Sequence, residues 1–463
     1  MTSPATFSVV EAARLIASGE LSPVELTRSI LERIERIDPR LKAYVAIFHE
    51  EALAEAKRAA NEISMLGPRS SLHGIPVAIK DVYDIEGKPT LAGSRVRVGH
   101  IADADSEVVK RLREAGAIIV GKTVTHEFAS GVTSPPTRNP WDLNRIPGGS
   151  SGGSGAALAA DLCLAATGTD TAGSIRIPAS VNGVVGLKPT FGRISKRGIV
   201  PLSWSLDHVG PLAKTVHDAA LMLNTLAGYD PADVCSIKEP VRDFTDRIDC
   251  EISGFKVGVA QNWYLDRIGA AVAKATQEAA RTFEDLGASV EEIEIQHLDL
   301  AMEIHSTILS AEASAYHQSM LPVASESYRR GTRVFLQAGQ LIPATAYLNA
   351  QRARELIRQG FREAFSRVDV LIGPTLPTVA ALFGSNKVEV NGTEEDITQA
   401  YTRLSIPANL AGLPALSVPC GYHLGLPLGL QLIGKPLDER TVLRAGHAYE
   451  QATNHHLKRP NLV

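Results

Sequence analysis

The spacing of apolar residues changes period along the chain, and each change marks an element. Leu26, Ile30, Ile34 and Ile37 recur at helical spacing, which predicts an amphipathic helix with one face on a core. Ser8-Val-Val-Glu11 and Ser22-Pro-Val-Glu25 each match a capping box, and Pro23 takes the favoured first helical position. Residues 8–65 therefore read as helices, with Pro39 expected to stop the run. Short apolar runs follow. Those at 77–79 and 368–372 read as buried strands, and those at 117–120, 257–260 and 288–295 as strands. Helices at 106–115 and 271–286 end at Gly116 and Gly287, each just before a strand. Residues 298–367 read as mostly helical, 383–395 as a polar loop or hairpin, and 405–421 and 427–433 as apolar strands. Helix, glycine and strand recur without a linker or regular repeat. That grammar predicts an α/β layered fold in one large domain.

Composition narrows the function. A formal charge of −4 over 463 residues gives no basic footprint for nucleic acid. No apolar run reaches membrane-spanning length. The four cysteines (Cys163, Cys235, Cys250, Cys420) are far apart and form no C-x-x-C, as expected of reduced thiols in the cytoplasm. The N-terminus shows no charged segment followed by an apolar one, so no signal peptide is read there. No H-E-x-x-H, paired cysteines or clustered carboxylates stand out, so neither a metal nor a cofactor is expected.

Two short motif matches fail on context. Gly116-Ala-Ile-Ile-Val-Gly121-Lys122-Thr123 fits the phosphate-loop pattern. A helix precedes it, however, and its intervening residues are a β-branched strand that cannot wrap a phosphate. Gly148-Gly-Ser150-Ser-Gly152 fits the nucleophile-elbow pattern. The elbow needs a preceding strand, but residues 139–147 read as loop. None of His208, His217, His305, His317 or His423 sits in a recognisable triad context. His455 and His456 read as a solvated tail.

The stretch 147–180 is the most informative. It holds two glycine-flanked serines, Ser150 and Ser174, separated by a small-residue helix at 154–161 and an apolar strand at 162–166. A turn, a helix, a strand and a second turn can return the chain to nearly the same point. Glycine and serine together often mean flexible linkers, yet each turn here runs straight into a scaffold element. Lys80 follows the buried strand at 77–79. It reads either as a surface cap or, pointing inward, as a desolvated base. In the second case Lys80 can take a proton from Ser150, and Ser150 from Ser174. Thr171-Ala-Gly-Ser174 would then offer backbone N–H groups to an oxyanion, helped by a short helix starting at Ser174. The spacing is compatible with this relay.

These residues resemble the amidase signature family. The resemblance rests on Lys80, on Gly148-Gly-Ser-Ser-Gly-Gly153 and on Gly168-Thr-Asp-Thr-Ala-Gly-Ser-Ile-Arg-Ile-Pro178. Gly183-Val-Val-Gly-Leu-Lys-Pro-Thr190, Asn409-Leu-Ala-Gly-Leu-Pro414 and Gly429-Leu-Gln-Leu432 add to it, so that it spans about residues 8–453. It implies a three-layer α/β/α sandwich with a large mixed central sheet, in one domain (1–463). The helical layer would occupy about 8–65 and the catalytic core about 72–215. It implies an amidohydrolase acting on a small amide, carbamate or ester through an acyl-enzyme. Ser174 would be the nucleophile, Ser150 the bridging serine after a cis peptide bond, and Lys80 the neutral base. The backbone of Thr171, Ala172, Gly173 and Ser174 would form the oxyanion hole, braced by Asp170 and Arg176. Ser130, Gly131 and Val132 are expected near the substrate, with helices in 300–350 completing the wall. Oligomeric state is open, a homodimer included.

The alternative is the A-type polypeptide of the family's glutamine-dependent amidotransferases, which works with a partner protein. Two departures bear on these expectations. Ala172 stands where many members have glycine, which a negative φ would tolerate. Thr402 stands where the amidotransferase branch has an aspartate for the amino group of glutamine, and Arg403 lies beside it. A cation without a carboxylate fits glutamine poorly.

Overall fold

Short buried runs form the centre of the structure, a computed structural model that describes residues 3–462. Among these residues the strands are β1 (Tyr44–Ile47), β2 (Pro76–Lys80), β3 (Ile118–Thr123), β4 (Ala165–Asp170), β5 (Val185–Lys188), β6 (His208–Ala213) and β7 (Lys256–Ala260). They continue with β8 (Ser289–Ile293), β9 (Val370–Pro374), β10 (Lys387–Val390), β11 (Thr393–Asp396), β12 (Ala415–His423) and β13 (Leu426–Gly434). Eleven strands make one sheet in the order β1-β3-β2-β4-β6-β5-β12-β13-β9-β7-β8, while β10 and β11 form a separate hairpin. The sheet is mixed. β2 pairs in parallel with β3 and β4, whereas β4 and β6 run antiparallel. Every residue of β2, β3 and β4 is buried, as expected for strands covered by helices on both faces.

The helices complete a three-layer α/β/α sandwich. Pro23–Leu41 and His49–Leu66 pack on each other and against β3. Val216–Leu226 and Glu439–Ala452 pack together, over β6 and β12 respectively. Gly152–Ala159 lies on Arg176–Asn182, which in turn packs on β5, β12 and β13. Ala301–Tyr316, Arg330–Gly339 and Ala344–Ala364 form a further helical group, as the reading of 298–367 anticipates. A satellite apolar cluster, including Val132, Ile146, Ile177 and Ile397, is separate from the main core.

Several boundaries differ from the sequence reading, each for a physical reason. Pro39 does not stop its helix, which runs to Leu41 and ends at Lys42 with φ 56°. Pro39 lacks an N–H and crowds the carbonyl four residues back, but it lies in the last turn, where the buried Asp38 carboxylate closes the helix end by accepting from Ala43 N at 2.7 Å. The helical reading of 8–65 missed β1, a four-residue edge strand whose residues are only half-buried or exposed. The strand expected at 162–166 lies at Ala165–Asp170 instead. Apolarity favoured Leu162–Leu164, whereas the true strand carries Thr167 and Thr169, whose hydroxyls have buried partners. Residues 405–421 begin not as strand but as the helix Ile406–Ala411, ended by Gly412 at φ 73°. His455 and His456 are half-buried, and the carbonyl of His455 accepts from the Tyr422 hydroxyl at 2.8 Å.

Candidate active site

Lys80 is the last residue of β2, beside β4 in the sheet. Its side chain turns inward and is fully buried, which settles against the surface cap. The backbone N–H donates to Thr167 Oγ1 at 3.0 Å. The Nζ atom sits 2.7 Å from Thr169 Oγ1 and 2.8 Å from Ser150 Oγ. Both close partners are hydroxyls. Burial therefore pulls the amine down to about 7, with the charges of Asp207 and Asp170 opposing the shift.

Ser150 lies in the turn before the helix Gly152–Ala159, and the Gly149–Ser150 peptide is cis. Its carbonyl accepts from His126 N at 3.1 Å and Ser134 Oγ at 2.9 Å. A side chain at Gly149 would come within 2.6 Å of the Val132 carbonyl carbon. Glycine here lets two backbones touch.

Ser174 follows β4 and lines a cavity of about 870 Å³. The turn that carries it is held by Asp170, which is fully buried and accepts from Gly173 N at 2.7 Å and Ile175 N at 3.2 Å. Arg176 meets the same carboxylate through Nε at 3.0 Å and Nη2 at 2.9 Å. It also reaches the Ser405 carbonyl at 3.1 Å and Asn409 Oδ1 at 2.6 Å. Burial alone would raise the Asp170 pKa, but the Arg176 guanidinium holds it well below the usual carboxylate range. The helix starts at Arg176 rather than at Ser174, and its entry is occupied by the Asp170 carboxylate. The helix end therefore serves Asp170 first. Of the four N–H groups assigned to an oxyanion, that of Gly173 is engaged by Asp170. Thr171 donates its hydroxyl to the buried Asp207 at 2.6 Å. Ala172 lines the cavity and is absent from the residues with positive φ.

The cavity is also lined by Ser130, Gly131 and Val132, as expected, and by Met302–Ser310 and Gly331–Phe335 side chains from the helical group. His305, set aside in the sequence for want of a triad context, lines the cavity, as do His126 and Arg329, which the sequence reading did not single out. His305 Nε2 is 3.1 Å from the Thr171 carbonyl. Burial pushes both His126 and His305 down to about 4. Met302, His305 and Leu309 repeat at helical spacing, which reads as packing and hides the histidine. Thr402 lines the cavity too, whereas Arg403 donates to the Trp263 and Arg267 carbonyls and is not part of the lining. The expectation of a cation beside the substrate at this position is therefore corrected, because backbone carbonyls turn Arg403 aside. The missing carboxylate at Thr402 stands.

Lys122 of the phosphate-loop match lies within β3 and pairs with Asp81 at 2.8 Å, both side chains buried. It is structural. One group among the described residues could hold a metal ion: His217, Asp249 and His447, whose ligand atoms lie within 4.8 Å of one another. None of the three lines the cavity. Among the described residues no helix is long and apolar enough to cross a membrane.

Comparisons with known proteins show the family. The amidase family model matches residues 25–443. The chain is 43% identical to an amidase of Pseudomonas putida, over 100% of this chain and 99% of that protein. It is 38% identical to the A-type polypeptide of the glutamyl-tRNA(Gln) amidotransferase of Carboxydothermus hydrogenoformans, over 98% of this chain and 99% of that protein. The crystal structure of native peptide amidase from Stenotrophomonas maltophilia superposes with a TM-score of 0.86 at 32% identity, covering 99% of both chains. With its fold and nearly its whole length in common with these proteins, the chain belongs to the amidase signature family.

Proposed function

We propose that the chain is an amidohydrolase that cleaves the C–N bond of small amides, with Lys80, Ser150 and Ser174 as its catalytic residues. One observation carries the reading: a buried amine near neutrality, 2.8 Å from Ser150 Oγ. In its neutral form the Lys80 amine donates to Thr169 and offers its lone pair to Ser150. Ser150 passes its proton to Lys80 as it takes the proton of Ser174. Ser174 Oγ bonds to the substrate carbonyl carbon, and its electron pair moves onto oxygen. With the Gly173 N–H held by Asp170, the backbone N–H groups of Thr171, Ala172 and Ser174 are the ones left to meet that charge. On collapse the C–N bond breaks, and Ser150 returns the proton to the leaving nitrogen. Water then attacks the acyl-enzyme by the same relay, releasing the acid and restoring Ser174. Carbamates and simple esters pass through the same tetrahedral geometry and belong to the proposed substrate range. The four free thiols support a reducing, cytoplasmic setting.

The test is amine release from a panel of aliphatic amides, aryl amides, an aryl carbamate and L-glutamine, with Ser174→Ala alongside. Turnover of a member other than glutamine, lost in Ser174→Ala, is the expected result. Turnover that survives the substitution removes Ser174 from its role. The amidotransferase reading is favoured by relatives such as that of Carboxydothermus hydrogenoformans. It predicts glutaminase activity that depends on a partner protein, and the absence of a carboxylate at Thr402 speaks against it.

A further inference from the structure

His217, Asp249 and His447 stand apart from the reacting residues, with one ligand atom of each within 4.8 Å of the others. His217 is in the first turn of the helix Val216–Leu226, and His447 belongs to Glu439–Ala452. Asp249 lies in 227–255, a stretch without helix or strand. The two imidazoles meet edge to face with centroids 5.8 Å apart, and His217 makes no hydrogen bond among the described residues.

His447 is the most informative of the three. Its ring is buried, and Nε2 donates to Asp249 Oδ1 at 3.0 Å. On a neutral ring this leaves Nδ1 as a buried lone pair without a hydrogen-bond partner, 3.8 Å from Glu450 Oε2. A lone pair set against a carboxylate is unfavourable. A cation on Nε2 reverses the arrangement. The ring proton then sits on Nδ1 and faces Glu450, as in the carboxylate–histidine–metal triads that orient metal ligands. Glu450 also holds the second histidine in place, because both its oxygens accept from Val216 N, at 3.0 and 3.2 Å, one residue before His217. The stretch carrying Asp249 is fastened to the helix of His447 on either side. Arg440 donates to the Asp246 carbonyl at 3.2 Å, and Arg444 to the Cys250 carbonyl at 3.1 Å.

We propose that His217, Asp249 and His447 bind a divalent transition cation of the zinc type. Two imidazole nitrogens and one carboxylate oxygen suit zinc or cobalt, whereas magnesium and calcium take oxygen ligands. Ligand atoms around a tetrahedral zinc stand about 3.3 Å apart, a gap that the exposed Asp249 side chain closes from its loop. The fourth position opens to solvent on that side. None of the three residues lines the cavity, so the site does not depend on the hydrolase reading. Binding would pin the 227–255 stretch to two helices that cover the sheet. Ligands so far apart in the chain form no spacing motif, which is why the sequence reading expects no metal.

The test uses the full chain, untagged and stripped with a chelator, then dialysed against zinc or cobalt(II). We expect about one equivalent of zinc to be retained and the melting temperature to rise with zinc concentration. The cobalt(II) spectrum should show d–d bands without a thiolate charge-transfer band, since no cysteine belongs to the group. His217→Gln and Asp249→Asn should each weaken zinc binding about a hundredfold, at least the loss typical of an outer-sphere partner. Their melting temperatures without metal should stay close to that of the parent, which separates lost ligation from a damaged fold. His455→Gln, outside the group, should bind zinc as the parent does. Full affinity kept by either ligand variant, a thiolate band with cobalt, or no retained metal overturns the site.

Discussion

The Thr171 hydroxyl donates to Asp207 at 2.6 Å, tying the turn that carries Ser174 to a carboxylate on a different segment. Asp207 also accepts from Leu202 N at 2.9 Å and Ser203 N at 3.0 Å, and burial raises its pKa. Asp207→Asn removes one acceptor oxygen from this set. We expect kcat to fall about tenfold, the equivalent of one buried hydrogen bond. KM should change less, because Asp207 does not line the cavity. An unchanged kcat would separate the Asp207 tie from catalysis.

Under the proposed relay, Lys80 is expected to set the pH dependence. With its amine at about 7, the protonated form grows as pH falls and can accept no proton. kcat/KM should therefore drop on the acid side, with a midpoint near 7 and unit slope. Lys80→Met should cost at least about a hundredfold. Stability gives an independent reading. The folded-state pKa lies below the ordinary lysine value of 10.5, so the unfolded chain binds more protons between these two values. Stability gained by Lys80→Met should be largest below pH 7 and fade towards pH 10.5. Melting curves across that range check the sign.

Arg176 and Asp170 are both fully buried and paired. Removing one partner leaves a charge without water or counter-charge. Arg176→Met should destabilise the fold by about 3–5 kcal/mol. Arg176→Lys should recover only part, since a single ammonium cannot meet Asp170, Asn409 and Ser405 together. Denaturant midpoints for the two variants would decide between a requirement for charge and one for fork geometry.

Gly173 has φ +114°, and a Cβ there would sit 2.7 Å from Ser405 Oγ and 2.9 Å from Ile177 Cδ1. Gly173→Ala should lower both activity and stability, with about 1–3 kcal/mol from the backbone conformation alone. Adding Ser405→Gly relieves the contact with Ser405 but not the φ. The double variant is expected to regain some stability and to stay below the parent in a melting measurement.

Much of this was legible from residue order because it depends on local grammar. The helix at Glu107–Glu114, capped by Ser106, and the glycine after it follow from side chains that act on neighbours. The long motif around Ser174 was legible for a related reason: so many small residues in one stretch are hard to explain by packing. The orientation of Lys80 was not readable, since a lysine ending a strand can face either way. Its inward turn depends on Thr167 and Thr169, 87 and 89 residues later. Those same threonines displaced the expected strand, because a hydrophobicity count treats a buried hydroxyl as a surface one. His305 and Arg329 come from the second half of the chain, and only tertiary packing brings them to the cavity. Arg403 shows the converse: adjacent in sequence to a cavity residue, it turns to carbonyls elsewhere.

β2 and β4 are hydrogen-bonded neighbours in the sheet, and their ends supply Lys80 and the approach to Ser174. The ladder between Val77–Ala78 and Ala165–Ala166 thus brings the strand that ends in Lys80 alongside the strand that leads to the Ser174 turn. Part of the cavity wall has another origin, in residues of 302–310, 331–335 and 383–402, which join residues of 126–135 and 171–174 from the half of the chain that holds Lys80, Ser150 and Ser174. The later segments of the wall lie apart in sequence from Lys80, Ser150 and Ser174. Exchanging wall segments between relatives should therefore move substrate range while the reacting groups keep their register, and one scaffold can serve many amides.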